Sequence, residues 1–227
     1  MSNPPILFDP IGRIRKLLNR PEPRILLALV GIPGSGKSTF AARLAEQVNR
    51  EFGSAAMIAV GMDGFHLTKA ELNKMPDPAA AFARRGSPWT FNPSEMASLL
   101  VSVRGAAGIT DITWPDFQHG TGDPVPDVHL IRPNVKILLV EGLYLLYREH
   151  GWDKVSGQFD ESWFLNTPME VSMDRLVRRH MATSGQSIEI AENRIASNDR
   201  LNAEIVARTR SYSNFMLEDV QKPLNST

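Results

Sequence analysis

The sequence predicts an α/β fold, a three-layer α/β/α sandwich with a mainly parallel central sheet and a small lid, and three observations carry that reading. The apolar run Ile25-Leu26-Leu27-Ala28-Leu29-Val30 leads straight into Gly31-Ile32-Pro33-Gly34-Ser35-Gly36-Lys37-Ser38, after which the residues take helical periodicity. Two more apolar runs, 55–61 and 135–140, are short and nearly continuous, the pattern of strands covered on both faces, and each leads into an acid, Asp63 and Glu141. Helical segments lie between these runs, and 227 residues give room for one such domain with a small insertion.

Residues 10–19 place Ile11, Ile14, Leu17 and Leu18 at helical spacing, and Pro21 and Pro23 then interrupt the chain, so this is a docking helix rather than a domain. The first strand, 25–30, feeds a Gly-x-x-x-x-Gly-Lys-Ser phosphate loop. Its glycines let consecutive backbone N–H groups turn inward around a β-phosphate, Lys37 reaches the β/γ oxygens, and the Ser38 hydroxyl can ligate Mg²⁺ at a helix N-terminus. The helix over 37–50 carries Phe40, Ala41, Leu44, Ala45 and Val48 on one face. Strand, loop and helix in this order are those of a P-loop NTPase fold, so the chain is expected to bind a nucleoside triphosphate through Gly31, Gly34, Ser35, Gly36, Lys37, Ser38 and Thr39. The strand over 55–61 ends at Met62-Asp63-Gly64-Phe65-His66, and the carboxyl ends of parallel strands are where ligands bind.

Residues 67–134 are the least regular part, punctuated by Pro76, Pro78, Pro88, Pro93, Pro115, Pro124, Pro126 and Pro133, and the acceptor site is expected here. Asp77-Pro78 and Asn92-Pro93 each read as an N-cap followed by proline at the first helical position, giving helices near 78–85 and 93–104. Strand-like runs follow at 109–114 and 127–132. Residues 135–140 form a further strand with a Walker-B-like end, Glu141-Gly142. Residues 160–165 read as another core strand, and Thr167-Pro168 opens a helix to about Ser184, stopped by Gly185. Its arginines make about 168–190 the lid helix. A second helix over about 187–208 and a last strand at 212–217 complete a single domain over 1–227 without repeats.

Phosphoryl transfer needs the triphosphate held, its charge neutralised, and the acceptor oxygen aligned and relieved of its proton. Glu141 can sit by Mg²⁺ opposite Ser38, directly or through water; the alternative is a carboxylate capping the next turn. Asp63 is the candidate general base, or the holder of the metal's water, and the alternative is an ordinary Asp-Gly turn. Arg175 shares a helical face with Arg178 and Arg179, a face that either closes over the transferred group or is a solvated basic surface. Two loops, 84–92 with Arg85 and 114–123 with Asp116 and His119, read as acceptor-site material. His66 and His119 suit a local structural role as well as substrate contact, and neither has metal-ligand spacing to a partner, so no transition metal is assigned.

Composition narrows the partners. With 25 basic and 25 acidic residues and 17 aromatics, the chain has neither the charge nor the stacking strip of a nucleic-acid binder, and no attraction to an anionic membrane. The absence of cysteine excludes a disulfide scaffold and a thiolate nucleophile, and makes a reducing cytoplasm the expected compartment. The longest apolar run near the N-terminus has six residues, too short to span a bilayer and wrongly flanked for a signal peptide. Asn73-Lys74-Met75-Pro76 is misplaced for a guanine-reading Asn-Lys-x-Asp motif and lacks its Asp, which points to ATP rather than GTP.

The set comprising the phosphate loop, Met62-Asp63-Gly64-Phe65-His66, Trp114-Pro115-Asp116-Phe117-Gln118-His119, Val140-Glu141-Gly142-Leu143-Tyr144 and Arg175-Leu176-Val177-Arg178-Arg179-His180 resembles the phosphoribulokinase, uridine kinase and pantothenate kinase superfamily of P-loop kinases, in order and over nearly the whole chain. The segment Asn193 to Ile205, with Asn198-Asp199 and Asn202, looks most like the bacterial branch described as fructose transport system kinases, or fructokinases. The resemblance implies ATP- and Mg²⁺-dependent transfer to a hydroxyl of a small molecule, with Asp63 as base and Lys37, Arg175 and Arg179 as catalytic cations. It also implies that Asp116 and His119 face the acceptor, with Phe65, His66 and Arg85 as further substrate candidates, and, since family members are often dimers, a homodimer. Uridine kinases show Asp-Ser-Phe-Tyr and Asp-Phe-x-x-x-His, whereas this chain has Asp63-Gly64-Phe65-His66 and a shorter Asp116-Phe117-Gln118-His119, which weighs against a nucleoside. The Asp-Gly-Phe step is nearer to pantothenate kinases, but the chain is shorter and lacks their tyrosine-rich loop. A sugar or sugar-like acceptor is therefore expected, fructose on the branch resemblance alone. The alternatives are a pantothenate- or uridine-type kinase and, from another class, a nucleotide-dependent switch or accessory ATPase that needs no acceptor pocket.

Overall fold

The computed structural model describes residues 8–118, 120–184 and 187–218. Strand β1 (Ile25–Val30) is buried along its whole length, and the two-residue period of a strand sends Leu26, Ala28 and Val30 into one core and Ile25, Leu27 and Leu29 into another. A strand covered on both faces has no polar position to offer, hence the unbroken apolar run. Helices α1 (Pro10–Leu18) and α2 (Lys37–Phe52) cover the Leu27 face, with Ile14, Leu17, Phe40, Leu44 and Val48 inward. After strand β2 (Met57–Gly61) come the short helices α3 (Lys69–Leu72) and α4 (Pro78–Ala83), then α5 (Pro93–Gly105), which packs on the Leu26 face. Asp77 and Asn92 cap α4 and α5 by accepting from Ala80 N and Glu95 N, with proline at the first helical position of each.

The remaining elements are the hairpin β3 (Ile112–Gln118) and β4 (Asp123–Ile131), strand β5 (Ile137–Gly142), helix α6 (Asp153–Ser156), strand β6 (Glu161–Asn166), helices α7 (Met169–Ser184), α8 (Ile188–Arg194) and α9 (Arg200–Arg208), and strand β7 (Phe215–Glu218). The main sheet has the order β2-β5-β1-β6-β7 with every pair parallel. From β1 the chain crosses β5 to reach β2, and from β5 it crosses β1 to reach β6. The two crossings diverge, which opens a crevice at the carboxyl ends of β1 and β5, where the phosphate loop and Glu141 emerge. Among the described residues no helix is long and apolar enough to cross a membrane.

Three expectations shift. The strands read at 109–114 and 127–132 lie at 112–118 and 123–131 and run through Pro115, Pro124 and Pro126. Proline is tolerated there because a two-stranded ribbon has a free edge on each strand. A bulge falls between Trp114 and Asp116, opposite Asp127, which takes a left-handed φ of +57° and accepts a hydrogen bond from the Thr113 hydroxyl. The helix read over 187–208 is broken by a π-helical segment at Ile195–Asp199, whose extra residue shifts the inward face between α8 and α9. The last strand begins at Phe215, after a 3₁₀ turn at Thr209–Tyr212.

One buried charge supports this frame. Arg24 is fully buried just before β1, and its guanidinium donates to the carbonyls of Val135 (3.0 Å), Val103 (2.8 Å), Arg132 (2.6 Å) and Pro133 (3.2 Å), so it caps α5 and fixes the entry to β5. Arg24→Ala strands those acceptors in a cavity. It is expected to lower the unfolding free energy by about 3 kcal/mol or more, read as a fall in the urea midpoint without a change in slope.

Candidate active site

The phosphate loop takes its shape from two glycines in the left-handed region, Gly34 at φ +77° and Gly36 at φ +91°, the latter starting α2. A Cβ on Gly34 would lie 2.4 Å from the Ser172 carbonyl and 2.9 Å from Leu176 Cγ, so α7 rests directly on the loop. The Ser35 carbonyl accepts from Thr167 Oγ1 at 3.0 Å and from Arg175 Nη1 at 3.2 Å. Between the loop residues Gly34, Gly36, Lys37 and Thr39 and the α7 residues Arg175 and Arg179 lies a pocket of about 210 Å³. Arg178 is exposed and does not border it.

On the other side of Ser38 stand the acids. The Ser38 hydroxyl donates to Glu141 Oε1 at 2.7 Å. Parallel pairing sets Gly61 opposite Glu141, and Met62 N donates to the Glu141 carbonyl at 2.9 Å, which delivers Asp63 beside Glu141. Gly142 permits this crossing, because a Cβ there would lie 2.4 Å from Met62 Sδ. Burial raises the Glu141 carboxyl above the usual carboxylate range and the charges of Asp63 and Asp116 add to the rise, while Lys37 and the Ser38 hydrogen bond oppose it. Among the described residues no group of three or more His, Asp or Glu could hold a metal by itself.

The turn bearing Asp63 is clamped by the hairpin. A Cβ on Gly64 would lie 2.5 Å from the Pro115 carbonyl, so glycine is demanded by close approach of the β3 backbone. Trp114 Nε1 donates to the Gly61 carbonyl at 2.8 Å. Within the 3₁₀ turn Asp63–Phe65 side chains diverge, and Phe65 points into the core at 1% exposure, edge-on to Trp114 at 5.0 Å, while Asp63 borders the cleft. His66 lies between Phe91 and Phe117, at ring separations of 3.9 and 4.6 Å, and its Nδ1 donates to the Asp63 carbonyl at 2.8 Å. Asp116 Oδ1 accepts from Phe117 N at 2.8 Å, and its Oδ2 lies 3.2 Å from His129 Nε2. Ser38, Asp63, Asp116, Phe117, His129 and Glu141 meet at one end of a cleft of about 450 Å³ that continues along β2 and α2.

A model of the phosphoribulokinase/uridine kinase family matches residues 26–224. The chain belongs to this family of P-loop kinases. A provisionally named uridine kinase of Schizosaccharomyces pombe is 35% identical over 207 residues, covering 88% of this chain and 85% of that one. An ATP-dependent kinase-like protein of Aspergillus versicolor, notR', is 40% identical over 153 residues, 66% of this chain and 88% of its own. Among solved structures, a provisionally named fructose transport system kinase from Silicibacter sp. TM1040 superposes with a TM-score of 0.80 at 27% identity, covering 92% of this chain and 98% of that one.

Several residues of this P-loop kinase gain their meaning only in three dimensions. Arg85 reaches across the loop: its Nη2 donates to the Leu67 carbonyl at 2.8 Å and to Asp123 at 3.1 Å, its Nη1 donates to the Gly122 carbonyl, and its guanidinium lies 5.3 Å from the Phe117 ring centroid. Asn198, in the π-helical segment, donates to the Arg85 carbonyl at 2.9 Å and accepts from Arg84 Nε at 3.2 Å; Asn202 accepts from Ser87 Oγ at 3.1 Å. The C-terminal helices thus brace the 84–90 loop. Nothing in the sequence singled out His129, whose place beside Asp116 follows from the bulge and register of the hairpin. His119 and Gly185, named above as acceptor residue and helix stop, lie outside the described residues.

Proposed function

We propose that this kinase transfers the γ-phosphate of ATP to a hydroxyl of a sugar or sugar-like acceptor. The observation that carries the reading is the junction at Ser38, which borders both the phosphate pocket and the cleft holding Asp63. A triphosphate seated in the loop would present its terminal phosphorus at that junction, and an acceptor in the cleft would meet it there. Lys37, Arg175 and Arg179 neutralise the transferring group. Asp63 takes the acceptor's proton as its oxygen bonds to phosphorus and ADP leaves. Ser38 and Glu141 fit Mg²⁺: both are oxygen donors, 2.7 Å apart, and a half-buried, partly desolvated carboxylate gains from a cation. Bound there, the ion would neutralise phosphate charge in transfer.

Fructose is the first acceptor to try, because the Silicibacter neighbour carries that name, and uridine the second, from the name of the Schizosaccharomyces relative. The test is ADP release with Mg-ATP across fructose, other hexoses, pentoses, glycerate, pantothenate and uridine. Strong stimulation by one compound, with a phosphorylated product, supports the reading. Slow hydrolysis indifferent to all of them, and to the state of Asp63, supports a nucleotide-dependent switch instead.

A further inference from the structure

We infer that the acceptor cleft is built for an uncharged or cationic hydroxyl compound and discriminates against anionic ones. This rests on the acceptor-kinase reading and goes beyond it to the charge class of the substrate. The place of the cleft beside the phosphate loop makes it the acceptor site; its lining decides the class. Three carboxylates border it, Asp63, Asp116 and Glu141. Glu141 is matched to the Ser38 hydroxyl and to a cation arriving with the nucleotide. Asp63 and Asp116 remain to face the acceptor, and the group in the lining that can carry positive charge, His129, is already within 3.2 Å of Asp116. Among the described residues, no Lys or Arg side chain lines the cleft.

The basic side chains around it are committed elsewhere. Arg85 is tied to Leu67, Gly122 and Asp123, and Lys69 Nζ donates to the Thr121 carbonyl at 2.6 Å. Lys37, whose charge reaches Glu141, borders the phosphate pocket with Arg175 and Arg179 instead. An acceptor bearing its own carboxylate or phosphate would have to shed water against two carboxylates and a triphosphate without a compensating cation, and such juxtaposed like charge is how a site rejects a ligand. Hydroxyl groups meet the opposite situation, since the carboxyl oxygens of Asp63 and Asp116 can accept hydrogen bonds from them.

The experiment uses the full chain with Mg-ATP and acceptors that share a skeleton but differ in charge: fructose with fructose 6-phosphate, glycerol with glycerate, pantothenol with pantothenate. Alongside them, a small-molecule extract separated by ion exchange into neutral, cationic and anionic pools is offered with γ-labelled ATP, with Asp63→Asn as the background. Transfer is expected in the neutral or cationic pool, and the neutral member of a productive pair is expected to lead its anionic partner by about tenfold or more in kcat/KM. Asp116→Asn is expected to narrow that ratio several-fold. Asp63-dependent transfer that is strongest in the anionic pool, or an anionic member that equals or leads its neutral partner, overturns the charge assignment and leaves the kinase reading standing. An unchanged ratio in Asp116→Asn overturns the electrostatic origin assigned to Asp116. Absence of Asp63-dependent transfer in every pool overturns the kinase reading, and this inference with it.

Discussion

Replacing Arg175 and Arg179 together by alanine is expected to slow acceptor phosphorylation by about 10³–10⁵-fold, the scale of arginines that face a transferring phosphoryl group. The expectation follows from where α7 presents them. Residues four apart share a helix face, and this face is held against the phosphate loop by the contact of Ser172 and Leu176 with Gly34. Arg175 already reaches the Ser35 carbonyl at 3.2 Å, and both guanidinium groups border the phosphate pocket. Arg178 shares the charge but not the place, being exposed outside the pocket, so Arg178→Ala is expected to stay within a few-fold of wild type. Acceptor-dependent ADP release at saturating ATP reads both, with thermal unfolding to show that α7 still packs. Equal losses in Arg178→Ala and in the double variant would mean that basic charge on the helix, not its aim, is what matters.

The parts of this molecule visible in its sequence are those that neighbouring residues determine. Strands β1 and β5 announce themselves because burial on both faces leaves only apolar residues, and the phosphate loop because its conformation needs glycine at Gly34 and Gly36. The caps of α4 and α5 are local bonds between a side chain and a backbone N–H three residues on, hence legible as Asp77-Pro78 and Asn92-Pro93. What stayed hidden depends on distant partners. Asn198 braces the loop at Arg85, 113 residues away, and no periodicity encodes that contact. The π-helical segment that turns Asn198 and Asn202 toward it sits in a run that reads as one unbroken helix. His129 is hidden for a similar reason: its pairing with Asp116 depends on a bulge, and prolines that serve as breakers elsewhere are accepted at the edges of a two-stranded ribbon. The glycine of Asp63-Gly64 reads equally as an ordinary turn, and only the approach of Pro115 gives the specific reason for it.

Asp63→Asn is expected to lower acceptor phosphorylation by about 10²–10⁴-fold, the usual contribution of a positioned base. Asparagine keeps the size and a hydrogen-bonding oxygen of aspartate but takes up no proton. The surrounding turn should survive, because its restraints do not use the carboxylate: His66 bonds the Asp63 carbonyl, Gly64 packs on Pro115, and Trp114 bonds the Gly61 carbonyl. The two roles open to Asp63 then separate by titration with Mg²⁺. A base serving the acceptor leaves the Mg²⁺ concentration for half-maximal rate unchanged, and slow ATP hydrolysis in the absence of acceptor persists. A carboxylate that orders water on the ion shifts that concentration upward and slows hydrolysis in step with transfer. The first outcome is expected, because the pair proposed to hold the cation, Ser38 Oγ and Glu141 Oε1 at 2.7 Å, is linked without Asp63, which instead shares its cleft with Asp116 and His129.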